Sequence, residues 1–128
     1  MPHEIRTESN ATGVVISFTG VVPGEEVVAL NIRLISEQAY SQCRYQVWDF
    51  SNVTRLDLTV DDLRNISVQD ITGSAINPTL RTAIVGQPDL FANRDKIFLI
   101  FEEVWTAFRP KFFTDFETAR EWASSDRP

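Results

Sequence analysis

Apolar and β-branched residues gather in five short stretches of the chain, separated by segments whose apolar positions recur every three or four residues. Strand-like and helix-like segments therefore alternate. His3 to Glu8 alternates as a short edge strand does, and Asn10 and Gly13 supply the turn after it. Gly13 to Phe18 is almost continuously apolar, the pattern of a strand covered on both faces, and Thr19 and Gly20 are expected to break it. Pro23, with Glu25 and Glu26 behind it, suits the first turn of a helix, which Val27, Leu30, Leu34 and Ile35 carry to about Gln38. Tyr45 to Phe50 reads as a third, buried strand, stopped by the turn chemistry of Ser51 and Asn52. Thr59 followed by Asp62 resembles a capping box, so a second helix starts before Leu63 and Ile66, and the segment Gly73 to Pro78, with the breaker Asn77-Pro78, is expected to end it and turn the chain.

Leu80 to Gly86 is the fourth strand, and Pro88 with Asp89 is expected to open a third helix. Phe91, Phe98, Phe101 and Trp105 give that helix an apolar face, which Ile97, Ile100 and Val104 widen beyond what one packing surface requires. Phe108 to Phe113 is the fifth strand, placed at an edge by Pro110, and Thr114 with Glu117 caps a last helix pinned by Phe116, Ala119 and Trp122. The order ββαβαβαβα predicts an α/β fold: a mixed sheet of five strands, the first antiparallel to the second, covered by four helices. Residues 1–128 make one domain with its core at about residues 3–123.

Composition narrows the chemistry. Eighteen acidic against twelve basic residues give a net charge of -6, with no basic patch in sequence, so neither nucleic acid nor an anionic membrane is an expected partner. No run approaches the roughly 20 apolar residues of a membrane span, and the start lacks the apolar core of a secretion signal, so the expected location is the cytoplasm. One cysteine, Cys43, and one histidine, His3 at a terminus expected to fray, argue against a catalytic triad, a histidine-based zinc site or any metal centre. No cofactor is implied, since no glycine-rich phosphate loop is present.

The phrase Trp48-Asp49-Phe50-Ser51-Asn52-Val53-Thr54-Arg55-Leu56-Asp57, the strand Thr82-Ala83-Ile84-Val85 and the closing Phe113 to Trp122 resemble the STAS domains, the fold of sulfate-transporter and anti-sigma-factor-antagonist modules, and look closest to their stand-alone bacterial SpoIIAA-like members. The resemblance covers roughly residues 3 to 123. It implies a regulatory, protein-binding role. In the antagonist branch the aspartate that opens the second helix is followed by a phosphorylated serine; Asp57 matches the aspartate, but Leu58 stands where the serine would be, and Thr59 comes one place later.

Asp49, Ser51, Asp57, Thr59 and Asp62 are thus the candidate partner- or ligand-binding residues. Each also has a structural reading. Asp49 can accept hydrogen bonds from the turn after it, Asp61 and Asp62 can favour a helix N-terminus, and Thr59 can cap. Three functions remain open: a non-enzymatic module that binds another protein at Asp49 to Asp62, a carrier of an apolar or lipid-like molecule on the face of Phe91, Phe98, Phe101 and Trp105, and, behind these, an acid–base enzyme using Asp49 and Asp57. The same wide apolar face could instead serve a homodimer.

Overall fold

The computed structural model describes residues 3–8, 12–91 and 110–125, in which five strands form one sheet: β1 (His3–Thr7), β2 (Gly13–Pro23), β3 (Tyr45–Asp57), β4 (Arg81–Val85) and β5 (Lys111–Phe113). They lie side by side in chain order. β1 runs antiparallel to β2, and every later pairing is parallel, as the few residues between β1 and β2 and the many between the later strands allow. Three α-helices are described: α1 (Gly24–Ser36), α2 (Val60–Ile76) and α3 (Phe116–Ser124). Short 3-10 turns occupy Gln38–Gln42 and Pro88–Phe91. Pro88 thus opens a single tight turn in the described chain, and the rest of the predicted third helix, including Phe98, Phe101 and Trp105, lies outside the described residues.

Two strands are longer than the residue pattern predicts. β2 continues through Thr19 and Gly20 to Pro23, and β3 continues through Ser51 and Asn52 to Asp57. The ladder survives because register shifts between Ser17 and Thr19, and again between Gly20 and Val21, absorb extra residues of β3. Gly20 takes φ 71°, which a glycine adopts without strain. The polar residues read as a turn belong instead to an exposed two-stranded ribbon that continues beyond the stretch of β3 paired with β4. Elsewhere the boundaries move little: α1 ends at Ser36 rather than Gln38, and β5 begins only after Pro110, on the sheet edge where a missing N–H is tolerated.

Period-two alternation divides the core. On one face Ile16, Phe18, Trp48 and Phe50 meet Val27, Leu30 and Leu34 of α1; Phe18 stacks on Phe50 with centroids 4.7 Å apart. On the other face Val15, Tyr45, Val47, Ala83 and Val85 are covered by Ala119 and Ala123 of α3. Right-handed crossovers between strands laid down in order place α1 and α2 on the same face, where Asn31 of α1 donates to the Gln69 side chain of α2 at 2.9 Å.

Thr59 and Asp62 form the reciprocal capping box at α2. At α3 the cap is Asp115 rather than Thr114: its carboxylate accepts from the hydroxyl and backbone N–H of Thr118, and these bonds hold its pKa below the usual carboxylate range. Asp115, one residue closer to the helix, accepts from both donors of Thr118 and so takes the cap position in place of the threonine–glutamate pair. His3, expected at a fraying end, is paired in β1 with Phe18, and its Nδ1 lies 2.9 Å from Glu26 Oε2.

Candidate functional site

The predicted site residues are strung along β3 and into α2. Asp49, half-buried, sits where β3 last pairs with β4, and its Oδ1 accepts from the Ser51 backbone N–H at 3.0 Å and from the Ser51 hydroxyl. Asp57, at the far end of the ribbon, is held by Arg55, whose Nε donates to Oδ1 at 3.0 Å with both side chains exposed. Thr59 Oγ1 accepts from the Asp62 N–H, and Asp62 Oδ2 accepts from the Thr59 N–H, both at 3.0 Å. Gly24, at the start of α1, lies against this cap so closely that any Cβ there would collide with the Asp62 carboxylate and the Asp57 carbonyl. Asp57, Thr59 and Asp62 therefore share one exposed junction. Asp49 and Ser51 do not join them, because eight residues of strand at ~3.3 Å each separate Asp49 from Asp57 by on the order of 25 Å. Among the described residues no group of three or more His, Cys, Asp or Glu side chains could hold a metal ion.

A second feature lies beneath α2. Between that helix, α1 and the inner face of β3, β4 and β5 is a mainly apolar cavity of about 90 Å³. Phe50, Leu56, Leu58, Leu63, Phe91 and Phe112 line one part of it, and Tyr40, Asn31, Gln46, Ser67, Asp70 and Thr82 another. Along β3 the lining runs Gln46, Trp48, Phe50, and along the parallel β4 it runs Thr82, Ile84. α2, which must return antiparallel to the strands it joins, contributes Leu63, Ile66, Ser67 and Asp70 in that order. The polar residues of all three elements thus fall at the same end.

The chemistry of that end is unusual. Ser67 is fully buried, and its Oγ has no hydrogen-bond partner among the described residues. Asp70 Oδ1 accepts from Asn31 Nδ2 at 3.1 Å. As a residue Asp70 keeps some exposed surface, but its carboxyl group is enclosed; burial pushes its pKa up to about 7, and the Asn31 bond offsets this only in part. Burial, reinforced by the nearby Asp70 charge, raises the Tyr40 phenol as well. Phe91 is the one member of the predicted apolar face that is described, and it lines the cavity from its apolar end.

Comparison with solved structures finds chains of similar shape, among them the following two. One is the anti-sigma factor antagonist SpoIIAA in its unphosphorylated form, with a TM-score of 0.56 and 16% identity, covering 91% of each chain. The other is an uncharacterized protein of the DUF3478 family with a SpoIIAA-like fold from Shewanella loihica, with a TM-score of 0.56 and 17% identity, covering 94% of this chain and 91% of that one. The fold is SpoIIAA-like. No protein-family model matches the sequence, and neither does any curated protein.

Within this SpoIIAA-like frame, Leu58 is half-buried and packs towards the core with Leu63 and Phe112, so the position that the resemblance gives to a phosphorylated serine is filled by a packing residue. The cavity's polar end is what sequence reasoning missed. One signal was available: Ser67 and Asp70 follow Leu63 and Ile66 at helical spacing, so two polar residues occupy positions of the stripe that should face the core. Asn31, four residues after Val27 and three before Leu34, carried the same signal on α1, whereas Tyr40 carried none.

Proposed function

We propose that the protein is a non-enzymatic SpoIIAA-like regulatory module that binds another protein over the β3–α2 junction. The observation that supports this reading most is the fixed polar surface of that junction: the Arg55–Asp57 pair and the Thr59–Asp62 box are exposed and held by their own hydrogen bonds, with Gly24 bracing them from α1. A preorganised surface loses little conformational freedom when a partner docks. SpoIIAA itself is described as an anti-sigma factor antagonist, a role exercised through another protein. Control by phosphorylation at Leu58 is ruled out by its side chain, so binding here is constitutive or governed elsewhere. An acid–base role for Asp49 and Asp57 fits poorly, since groups on the order of 25 Å apart cannot act on one bond.

The experiment compares partner capture by the unaltered chain, by Asp57→Lys and by Glu121→Lys, an exposed change on α3 that serves as control. Capture retained by Glu121→Lys and lost by Asp57→Lys, with both variants folded, supports the reading; equal capture by all three removes it. The cavity beneath α2 favours a second reading, a carrier of a small apolar molecule.

A further inference from the structure

We infer that the cavity beneath α2 takes a slender, uncharged amphiphile, an aliphatic alcohol, with its chain among Phe50, Leu63 and Phe91 and its hydroxyl between Ser67 and Asp70. The inference rests on the carrier reading and names its ligand class.

Three observations converge on it. The first is Ser67, whose Oγ is fully buried without a partner among the described residues although it lines the cavity. A buried hydroxyl left unpaired carries an uncompensated desolvation cost, which a bound acceptor removes. The second is the order of the lining, polar at one end of β3, β4 and α2 together and apolar at the other, which fits a molecule with one head and one tail. Seven residues of helix from Leu63 to Asp70, at ~1.5 Å each, make the cavity about 10 Å long. The third is its volume: about 90 Å³ is smaller than the roughly 150 Å³ apolar cavity that accepts a benzene ring, which limits the ligand to a short chain of about three carbons.

The head group follows from the donors and acceptors present. Asp70 Oδ1 already accepts from Asn31, which leaves its other oxygen to accept one more donor. An alcohol O–H can donate there while its oxygen accepts from Ser67. A carboxylate head would face the Asp70 carboxylate, and among the described residues no Lys, Arg or His lines the cavity to offset two negative charges. An ammonium head would need its desolvation matched by several acceptors, and the one carboxylate among the described lining residues is shared with Asn31.

The test is titration of the purified full chain at pH 8, followed by backbone and indole NMR shifts, with three probes of equal chain length: propan-1-ol, propanoate and 1-chloropropane. The result expected is saturable shifts at Trp48, Ser67 and Asp70, with propan-1-ol bound at least ten-fold more tightly than propanoate and more tightly than 1-chloropropane. Ser67→Ala should weaken propan-1-ol by roughly three- to ten-fold, the loss of one hydrogen bond, and leave 1-chloropropane unchanged. Saturable binding of propan-1-ol and 1-chloropropane with equal affinity, or unaltered propan-1-ol affinity in Ser67→Ala, overturns the head-group inference while the carrier reading stands. Absence of saturable binding for all three probes overturns both. Should Ser67→Ala fold poorly, Thr82→Val, a near-isosteric change at the same polar end, tests the same placement: retention of the full preference for the alcohol over 1-chloropropane in that variant supports a head at Ser67 and Asp70, and loss of that preference overturns it.

Discussion

Arg120 Nε donates to Glu8 Oε1 at 2.6 Å, so that the residue following β1 is tied to the last helix across 112 positions of sequence. The Tyr45 hydroxyl donates to the same oxygen at 3.1 Å. Burial works against the Glu8 carboxylate, yet the bonds from Arg120 and Tyr45 outweigh it and hold the pKa below its ordinary value of 4.5. A depressed carboxyl pKa contributes stability that is complete above the ordinary value and fades as pH falls through the lowered one. Glu8→Gln is expected to lower stability at pH 7 by about 1 kcal/mol, a modest figure because the guanidinium is substantially exposed. Urea melts at pH 7 and pH 3 check this: the difference from the unaltered chain should shrink at the lower pH.

Asp70 has the opposite sign. Its folded pKa of about 7 lies above the ordinary 3.8, because burial disfavours the charge. The folded state therefore holds its proton more tightly, and stability is lost as pH rises from about 4 through 7. Asp70→Asn keeps an acceptor for Asn31 and removes the charge. It is expected to raise stability at pH 8 by on the order of 2 kcal/mol and to change it little at pH 4. Thermal melts across that range would contradict the assignment if the gain were the same at both ends.

Asn77, the C-cap of α2, is buried, and its Nδ2 donates to the carbonyls of Tyr40 at 2.8 Å and Cys43 at 2.6 Å. Asn77→Ala leaves both carbonyls without that donor and should cost about 2–4 kcal/mol. Asn77→Asp, which cannot donate, should fare no better. Chemical denaturation of the two variants, read against the unaltered chain, gives the comparison.

Thr59→Ala removes the side-chain half of the α2 cap and is expected to cost about 1 kcal/mol, with Thr59→Ser recovering most of it. Hydrogen exchange should localise the loss to the Asp62 amide, which donates to Thr59 Oγ1. Uniformly faster exchange throughout α2 would instead mean that the cap is not the source.

The elements legible in the sequence were those whose side chains alternate or recur cleanly. Gly13 to Phe18, Tyr45 to Phe50 and the Thr59–Asp62 box were readable because the pattern and the local hydrogen bonds agree. The continuation of β2 and β3 was not, because Thr19, Gly20, Ser51 and Asn52 have the composition of turns and are held in strands by each other's backbones, a non-local effect. The α3 cap was misassigned by one residue for a related reason: two capping residues stand side by side, and only geometry separates Asp115 from Thr114. The polar end of the cavity drew on Asn31, Tyr40, Gln46, Ser67 and Asp70, which come from four elements and meet only once α1 and α2 pack on the sheet. The candidate residues on β3 were visible individually, but their separation was hidden by the unrecognised length of that strand.

Cys43 is buried, its thiol donates to the Tyr45 carbonyl at 3.2 Å, and burial raises its pKa. A thiol so placed is a poor nucleophile while the surrounding turn is closed. The chain consequently carries an internal timer for breathing at the Asn77 corner: a thiol-directed dye can label it only during local opening, so labelling rates report how often that corner comes apart without any added probe site.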